Sequence, residues 1–364
     1  MKRPLLYRFL PLLTAVLLQT GSSKAQSVFT LSELDSLGQH ARNRGFQGTI
    51  LIIQGEKTLF QQHYGVANVN TGAPITGSTR FNIGSIGKSL TGLLVLQQVA
   101  AGRLSLDRPV AEYLPASDSF PNSRSISARQ LLSHTAGLGD FFDSPAYDPQ
   151  RTRSTADHFR LVQQLKPLRD RPGLDYGYSN AGFIVLGQLL EHQTGSSYAR
   201  LLDERLLRPA GVQRAAKAPR ATGYRNDKGA WVEGEGNDPS YFSAAGGLFL
   251  SAGELHRIVR RVVRNGYLSQ AWRDTMWKPA VHPAGEPPFV NYGLGWMVES
   301  PMGLELRGHN GGVRGFQAAF RYLPQHDLYI YVLSNRENGA EETFMEMVML
   351  LAARQAGASG KPRP

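Results

Sequence analysis

The sequence predicts an α+β protein whose antiparallel sheet is assembled from both chain ends around a mostly helical middle. Three observations predict it. Two strand-like segments joined by Gly55-Glu56 stand near the start, helical spacings with capping signals fill the middle, and strand character returns from Leu304 onward.

Each element has its own local reason. Thr30-Leu31-Ser32-Glu33 is a capping box that opens a helix running to about Arg44, with Gly45 behind it and Leu34, Leu37 and Ala41 as its buried stripe. Gly48–Gln54 and Lys57–Tyr64 read as a hairpin. Ser89–Ala101 is the most apolar helical run after the first 25 residues, and Gly102 is its stop. Ser127-Ala128-Arg129-Gln130 caps a short helix. Further helices are predicted near 155–166, 181–193, 197–207 and 252–264, the last opened by Ser251-Ala252-Gly253-Glu254, with Gly195 and Gly266 as stops. The Gly-rich stretch 211–250 reads as loops with short strands. Leu304–Arg307, Gln317–Tyr322 and Leu328–Leu333 read as strands. A final helix over about 340–355 puts Phe344, Met347, Val348 and Leu351 on one face.

Composition narrows the class. The 364 residues contain no cysteine, so disulfides and thiolate metal sites are impossible. Residues 1–25 read as a secretory signal: Lys2, Arg3 and Arg8 precede the short apolar run Phe9–Leu18, and Ser23-Lys24-Ala25 offers a cleavage site. A secreted or periplasmic location follows as an expectation, with no lipobox cysteine and no integral membrane segment after signal removal. The formal charge is +11, of which Lys2, Arg3, Arg8 and Lys24 hold four, leaving +7 on the remainder. The basic residues are dispersed, so a cationic surface is a better reading than a nucleic-acid site.

The chemistry starts at Ser85-Ile86-Gly87-Lys88. Residues three apart share a helix face, so a hydroxyl and an amine meet at a helix start, where free backbone N–H groups and the positive dipole end favour an anion. A nucleophilic serine needs that combination of base and anion-friendly site. Desolvation by the helix lowers a lysine pKa and makes it a better base. Two further patterns add weight. Tyr178-Ser179-Asn180 directly precedes the helical run from Ala181, and His309-Asn310-Gly311-Gly312 precedes a predicted strand. The histidines show neither His-x-His nor His-Glu-x-x-His spacing, and no Gly-x-Ser-x-Gly occurs, which counts against a metallohydrolase and an α/β-hydrolase. No cofactor and no metal are expected.

Together these motifs resemble the serine β-lactamase and penicillin-binding superfamily, in its class C β-lactamase, DD-carboxypeptidase and esterase branch. The likeness extends to Phe81–Ser85, Gly102–Asp107, Leu131–Leu138, Ser243–Gly247, Tyr292–Trp296 and Leu333–Asn335. It implies a β-lactamase/transpeptidase-like domain over 26–356, with a helical insertion at roughly 105–250 and a disordered tail at 357–364. It implies Ser85 as the acyl-forming nucleophile, with Lys88 and Tyr178 as its acid–base pair. Asn180 would bond the substrate amide and Lys88, His309 would pass a proton towards the leaving group, and the backbone N–H groups of Ser85 and Gly312 would form the oxyanion hole. The phenol of Tyr178 would need Lys88, with His309 as a second cation, to hold its anion. Histidine stands at 309 where β-lactamases have lysine, which favours a peptidase, esterase or amidase over an efficient β-lactamase. The substrate would be a small molecule or a peptide, such as a cell-wall peptide. A non-catalytic member that binds peptidoglycan or peptides is the alternative. Gly139-Asp140-Phe141-Phe142 and Tyr241-Phe242 are candidate pocket walls, and Arg314 is a candidate carboxylate partner that reads more readily as a surface arginine.

Overall fold

The computed structural model describes residues 28–148, 154–167, 172–213, 218–238, 243–337 and 340–358. The proposed signal and the Tyr241-Phe242 pair lie outside them. In chain order, α1 (Leu31–Asn43) leads into β1 (Gly48–Gln54), β2 (Lys57–Tyr64) and β3 (Phe81–Asn82). A 3₁₀ turn (Gly84–Ile86) then opens α2 (Gly87–Ala100). Next come α3 (Ala128–Leu132), α4 (Thr155–Gln163), α5 (Asn180–Thr194), α6 (Tyr198–Leu202), β4 (Tyr224–Asp227), β5 (Ala230–Glu233), β6 (Phe249–Leu250), α7 (Ala252–Val263) and α8 (Gln270–Trp277). The chain closes with β7 (Val290–Tyr292), β8 (Met297–Glu299), β9 (Leu306–Val313), β10 (Phe316–Leu323), β11 (Leu328–Ser334) and α9 (Ala340–Ala358).

The main sheet has seven strands in the order β2-β1-β11-β10-β9-β8-β7, every pair antiparallel. The last strand, β11, pairs with the first, β1, so the two chain ends share one sheet. Side chains alternate across it with period two. Ile50, Ile52, Ile330 and Val332 face a core built with Leu34, Leu37 and Ala41 of α1 and Phe344, Met347 and Val348 of α9. Leu51, Ile53, Tyr331 and Leu333 face the opposite core, which holds α2, α5 and the other middle helices. The sheet is thus covered on both faces, and β1 and β11 are accordingly apolar throughout most of their length.

The predicted caps at Thr30, Ser127 and Ser251 are present, each with both bonds of the capping box. Several expectations shift. The His309–Gly312 motif lies inside β9, which starts at Leu306 and runs to Val313, instead of ahead of a strand. Pairing with β10 holds this glycine pair extended (Ala318 opposite Gly311, Gln317 opposite Gly312), overriding its weak strand propensity. The helix predicted over 197–207 turns π-helical at Asp203–Leu207. Asn265, at φ +63°, takes the left-handed position expected of Gly266. No helix among the described residues is long and apolar enough to cross a membrane.

Candidate active site

Ser85 sits in the 3₁₀ turn that feeds α2, and Lys88 is the second residue of α2. Side chains three apart eclipse one another in a 3₁₀ turn, which brings the amine under the hydroxyl. Two close backbone approaches hold this turn. Gly84 has φ +49°, and a Cβ there would lie 2.9 Å from the Gly312 nitrogen. A Cβ at Gly311 would lie 1.9 Å from the Ile83 carbonyl oxygen and 3.2 Å from the Ser85 nitrogen. Glycine at both positions lets β9 lie directly against the serine turn.

Lys88 is fully buried and forms the hub. Its Nζ lies 2.9 Å from Ser85 Oγ, 2.6 Å from Asn180 Oδ1 and 2.9 Å from the Ala245 carbonyl oxygen. It also lies over the Tyr178 ring, 4.9 Å from its centroid. Burial lowers the Lys88 pKa to about 7, against a smaller opposing pull from Asp140. A neutral amine has two hydrogens and one lone pair. In that form, with Asn180 Oδ1 and the Ala245 carbonyl accepting the two hydrogens, the lone pair accepts from the Ser85 hydroxyl; when protonated, the amine donates to all three oxygens.

Asn180 opens α5, and Ser179 caps that helix by accepting from the Gly182 N–H. Asn180 Nδ2 donates to Asp140 Oδ2 at 2.7 Å, which turns its Oδ1 towards Lys88. From the Gly139–Phe142 segment, Asp140 reaches this cluster through Asn180, and the Gly139 carbonyl accepts the Ser179 hydroxyl at 3.1 Å. Phe141, expected at the pocket wall, is buried in the helical core instead, because it packs on Phe142, Tyr147 and His158.

Tyr178 lines the cleft and is 42% exposed. Burial raises its pKa above the ordinary phenol value, against the opposing pull of a hydrogen bond with Ser85. Burial thus favours the neutral phenol over the anion that the sequence reading made conditional on neighbouring cations. His309 supplies no charge, since burial pushes it down to about 3. Its Nδ1 faces the Asn310 carbonyl oxygen and must carry the hydrogen, so Nε2 accepts from the Tyr292 hydroxyl at 2.7 Å.

His134 bears on Tyr178 as closely, and the sequence marks it only by its place in the Leu131–Leu138 stretch. Its backbone is left-handed, at φ +58°. Its carbonyl accepts the Gly177 N–H at 2.8 Å, its Nδ1 accepts the Ser179 N–H at 3.1 Å, and its ring lies 4.3 Å from that of Tyr178. One residue thereby grips both neighbours of Tyr178 and the ring itself.

Ser85, Tyr178, His309 and Gly312 line one cavity of about 270 Å³, together with Tyr176, Tyr292 and Glu286. A larger cleft of about 710 Å³ lies elsewhere, between Gln97, Arg205 and Trp272, and brings together none of the three motifs. Arg314 is outside the 270 Å³ cavity; its side chain is exposed and lies 3.8 Å from Glu235. No group of three or more metal-ligating side chains occurs among the described residues.

Residues 35–354 match the family model described as Beta-lactamase. The chain belongs to the beta-lactamase family. Within that family it is 28% identical over 340 residues to a D-aminopeptidase of Brucella anthropi, covering 88% of this chain and 62% of the relative. It thus spans somewhat less than two thirds of that relative's length. A penicillin-binding protein from Bacillus halodurans superposes with a TM-score of 0.75 at 26% identity, covering 86% of this chain and 98% of the other. The D-amino acid amidase from Ochrobactrum anthropi SV3 shares the fold at a TM-score of 0.77 and 21% identity, over 89% and 99% of the two chains. The beta-lactamase fold agrees with the α+β architecture expected from the sequence, a sheet built from both chain ends with helices between.

Proposed function

We propose that this chain is an exported serine hydrolase that forms an acyl-enzyme at Ser85 on an amide or ester. The observation that carries the reading is the Lys88 amine, fully buried, pushed down to about 7 and 2.9 Å from Ser85 Oγ, so that its neutral form accepts the hydroxyl proton. As Ser85 Oγ bonds the substrate carbonyl carbon, its proton moves to Lys88 Nζ. The developing oxyanion is held by the backbone N–H groups of Ser85 and Gly312. The bond from carbon to the leaving nitrogen or oxygen then breaks. Tyr178, protonated because of its raised pKa, gives its proton to that leaving atom and recovers the one on Lys88. Water attacks the acyl ester by the same route in reverse. The products are a carboxylic acid and a free Ser85 hydroxyl.

In this reading Lys88 is the base and Tyr178 the proton donor, with Asn180 keeping the amine aligned. Neutral His309 orients Tyr292 and leaves no cation on that wall for a substrate carboxylate, which disfavours efficient β-lactam hydrolysis. The D-aminopeptidase among its relatives supports amide substrates such as D-amino-acid derivatives. Export rests on the sequence of residues 1–25 and is checked by the N-terminal mass of protein recovered from the periplasm.

The test is covalent labelling with a fluorophosphonate and a fluorescent penicillin. The fluorophosphonate is expected to label the wild type and not Ser85→Ala, with weaker penicillin labelling. Lys88→Ala and Tyr178→Phe are each expected to slow acylation more than tenfold with the fold intact. Labelling that persists in Ser85→Ala would overturn the assignment.

A further inference from the structure

The cavity beside Ser85 has one charged wall. Tyr176, Tyr178, Tyr292, His309 and Met297 are neutral there, and the remaining lining adds no cation. Glu286 is the single formally charged side chain in that lining. It stands close enough to Tyr176 to raise the tyrosine's pKa, second only to burial. The guanidinium bonded to the lining residue Asn310 is already paired. Arg321 is buried, pairs with both oxygens of Glu299 at 2.5 and 3.0 Å, and donates to Asn310 Oδ1 at 2.9 Å.

An aromatic wall with one carboxylate attracts a cation. The carboxylate supplies charge and the tyrosine faces supply cation–π attraction. The same wall repels a substrate carboxylate and offers it no partner. A cavity of about 270 Å³ is small and suits a single residue rather than a long peptide.

We infer that Glu286 reads an ammonium group, so that this site takes amides and esters of small amino acids carrying a free amine, in preference to N-acylated or carboxylate-bearing ones. This rests on the serine-hydrolase reading above and names the substrate class for the same site.

The reporter is Ser85-dependent hydrolysis of p-nitrophenyl acetate by the full chain, with alaninamide and N-acetylalaninamide as competitors in both enantiomers. The free amine is expected to inhibit about fivefold more tightly than its acetylated form, as one carboxylate–ammonium contact at an exposed glutamate allows. The ratio should fall to within about twofold of unity in Glu286→Gln and be largely kept in Glu286→Asp. Equal inhibition by the two competitors in the wild type, no inhibition by either, or a ratio that survives Glu286→Gln would each overturn the inference while leaving the hydrolase reading intact. Hydrolysis that does not depend on Ser85 would instead overturn the hydrolase reading, and the inference with it.

Discussion

At Lys88 the deciding quantity is how many hydrogens its nitrogen carries. With the pKa near 7, kcat/KM for an uncharged ester should fall about tenfold per unit of pH below that value and level off above it. A pH–rate profile flat down to pH 5 would rule Lys88 out as the base. Stability has its own sign. The folded pKa is depressed from 10.5, so the unfolded chain binds more protons between about 7 and 10.5. Wild-type stability relative to Lys88→Met should therefore rise with pH across that window, by a few kcal/mol, and be flat below it. Denaturant titrations of both proteins at several pH values measure this. His134 acts through Tyr178. His134→Leu should lower kcat more than tenfold with little change in KM. His134→Asn, which tolerates the left-handed backbone and keeps an acceptor for the Ser179 N–H, should recover part of the loss. A KM effect alone, or no rescue by asparagine, would make His134 merely structural.

At the scale of elements, the site depends on three chain segments meeting end to side: the serine turn ahead of α2, the start of α5, and β9. Gly311→Ala is the sharpest probe, because its Cβ would occupy the position of the Ile83 carbonyl oxygen. Separating β9 from the serine turn should cost about 3 kcal/mol or more and abolish acylation together. A normal melting temperature in that variant would mean that the approach is looser than described. A second junction ties β3 to α7. Arg80, buried, bonds the Glu254 carboxylate at 2.9 and 2.5 Å, and Glu254 also completes the Ser251 capping box. Glu254→Ala removes a cap and the carboxylate partner of a buried guanidinium, so a loss of about 3–5 kcal/mol is expected by denaturant titration, against the few tenths usual for a surface glutamate.

For the whole molecule, the arrangement is a sheet between two unequal layers, with the site on the side of the larger, helical one. The smaller layer is α1 and α9. Burial of Phe344, Met347, Val348 and Leu351 is worth roughly 6–12 kcal/mol, comparable with the full stability of a typical domain. A chain ending at Glu337 should therefore expose Ile330 and Val332 and bind a hydrophobic dye or aggregate. A soluble, fully active truncation would show that this face needs no cover.

Local elements were legible in the sequence because their causes are local. The capping boxes at Thr30, Ser127 and Ser251 and the hairpin over 48–64 are written within a few neighbouring residues. The three-residue strands β7 and β8 and the two-turn α8 were not legible, because so few residues cannot display a period. Ser85 and Lys88 could be named from type and spacing, Tyr178 and His309 from the resemblance their motifs carry, and the α+β class from element order. What each of them does electrically could not. Whether an amine holds two hydrogens or three depends on how much water surrounds it and on which oxygens face it. Asn180, Ala245 and Asp140 come to Lys88 from positions 92, 157 and 52 residues away in the chain. Only folding brings such distant groups into contact and removes the solvent between them, so composition and order decide which groups are present and packing decides their protonation.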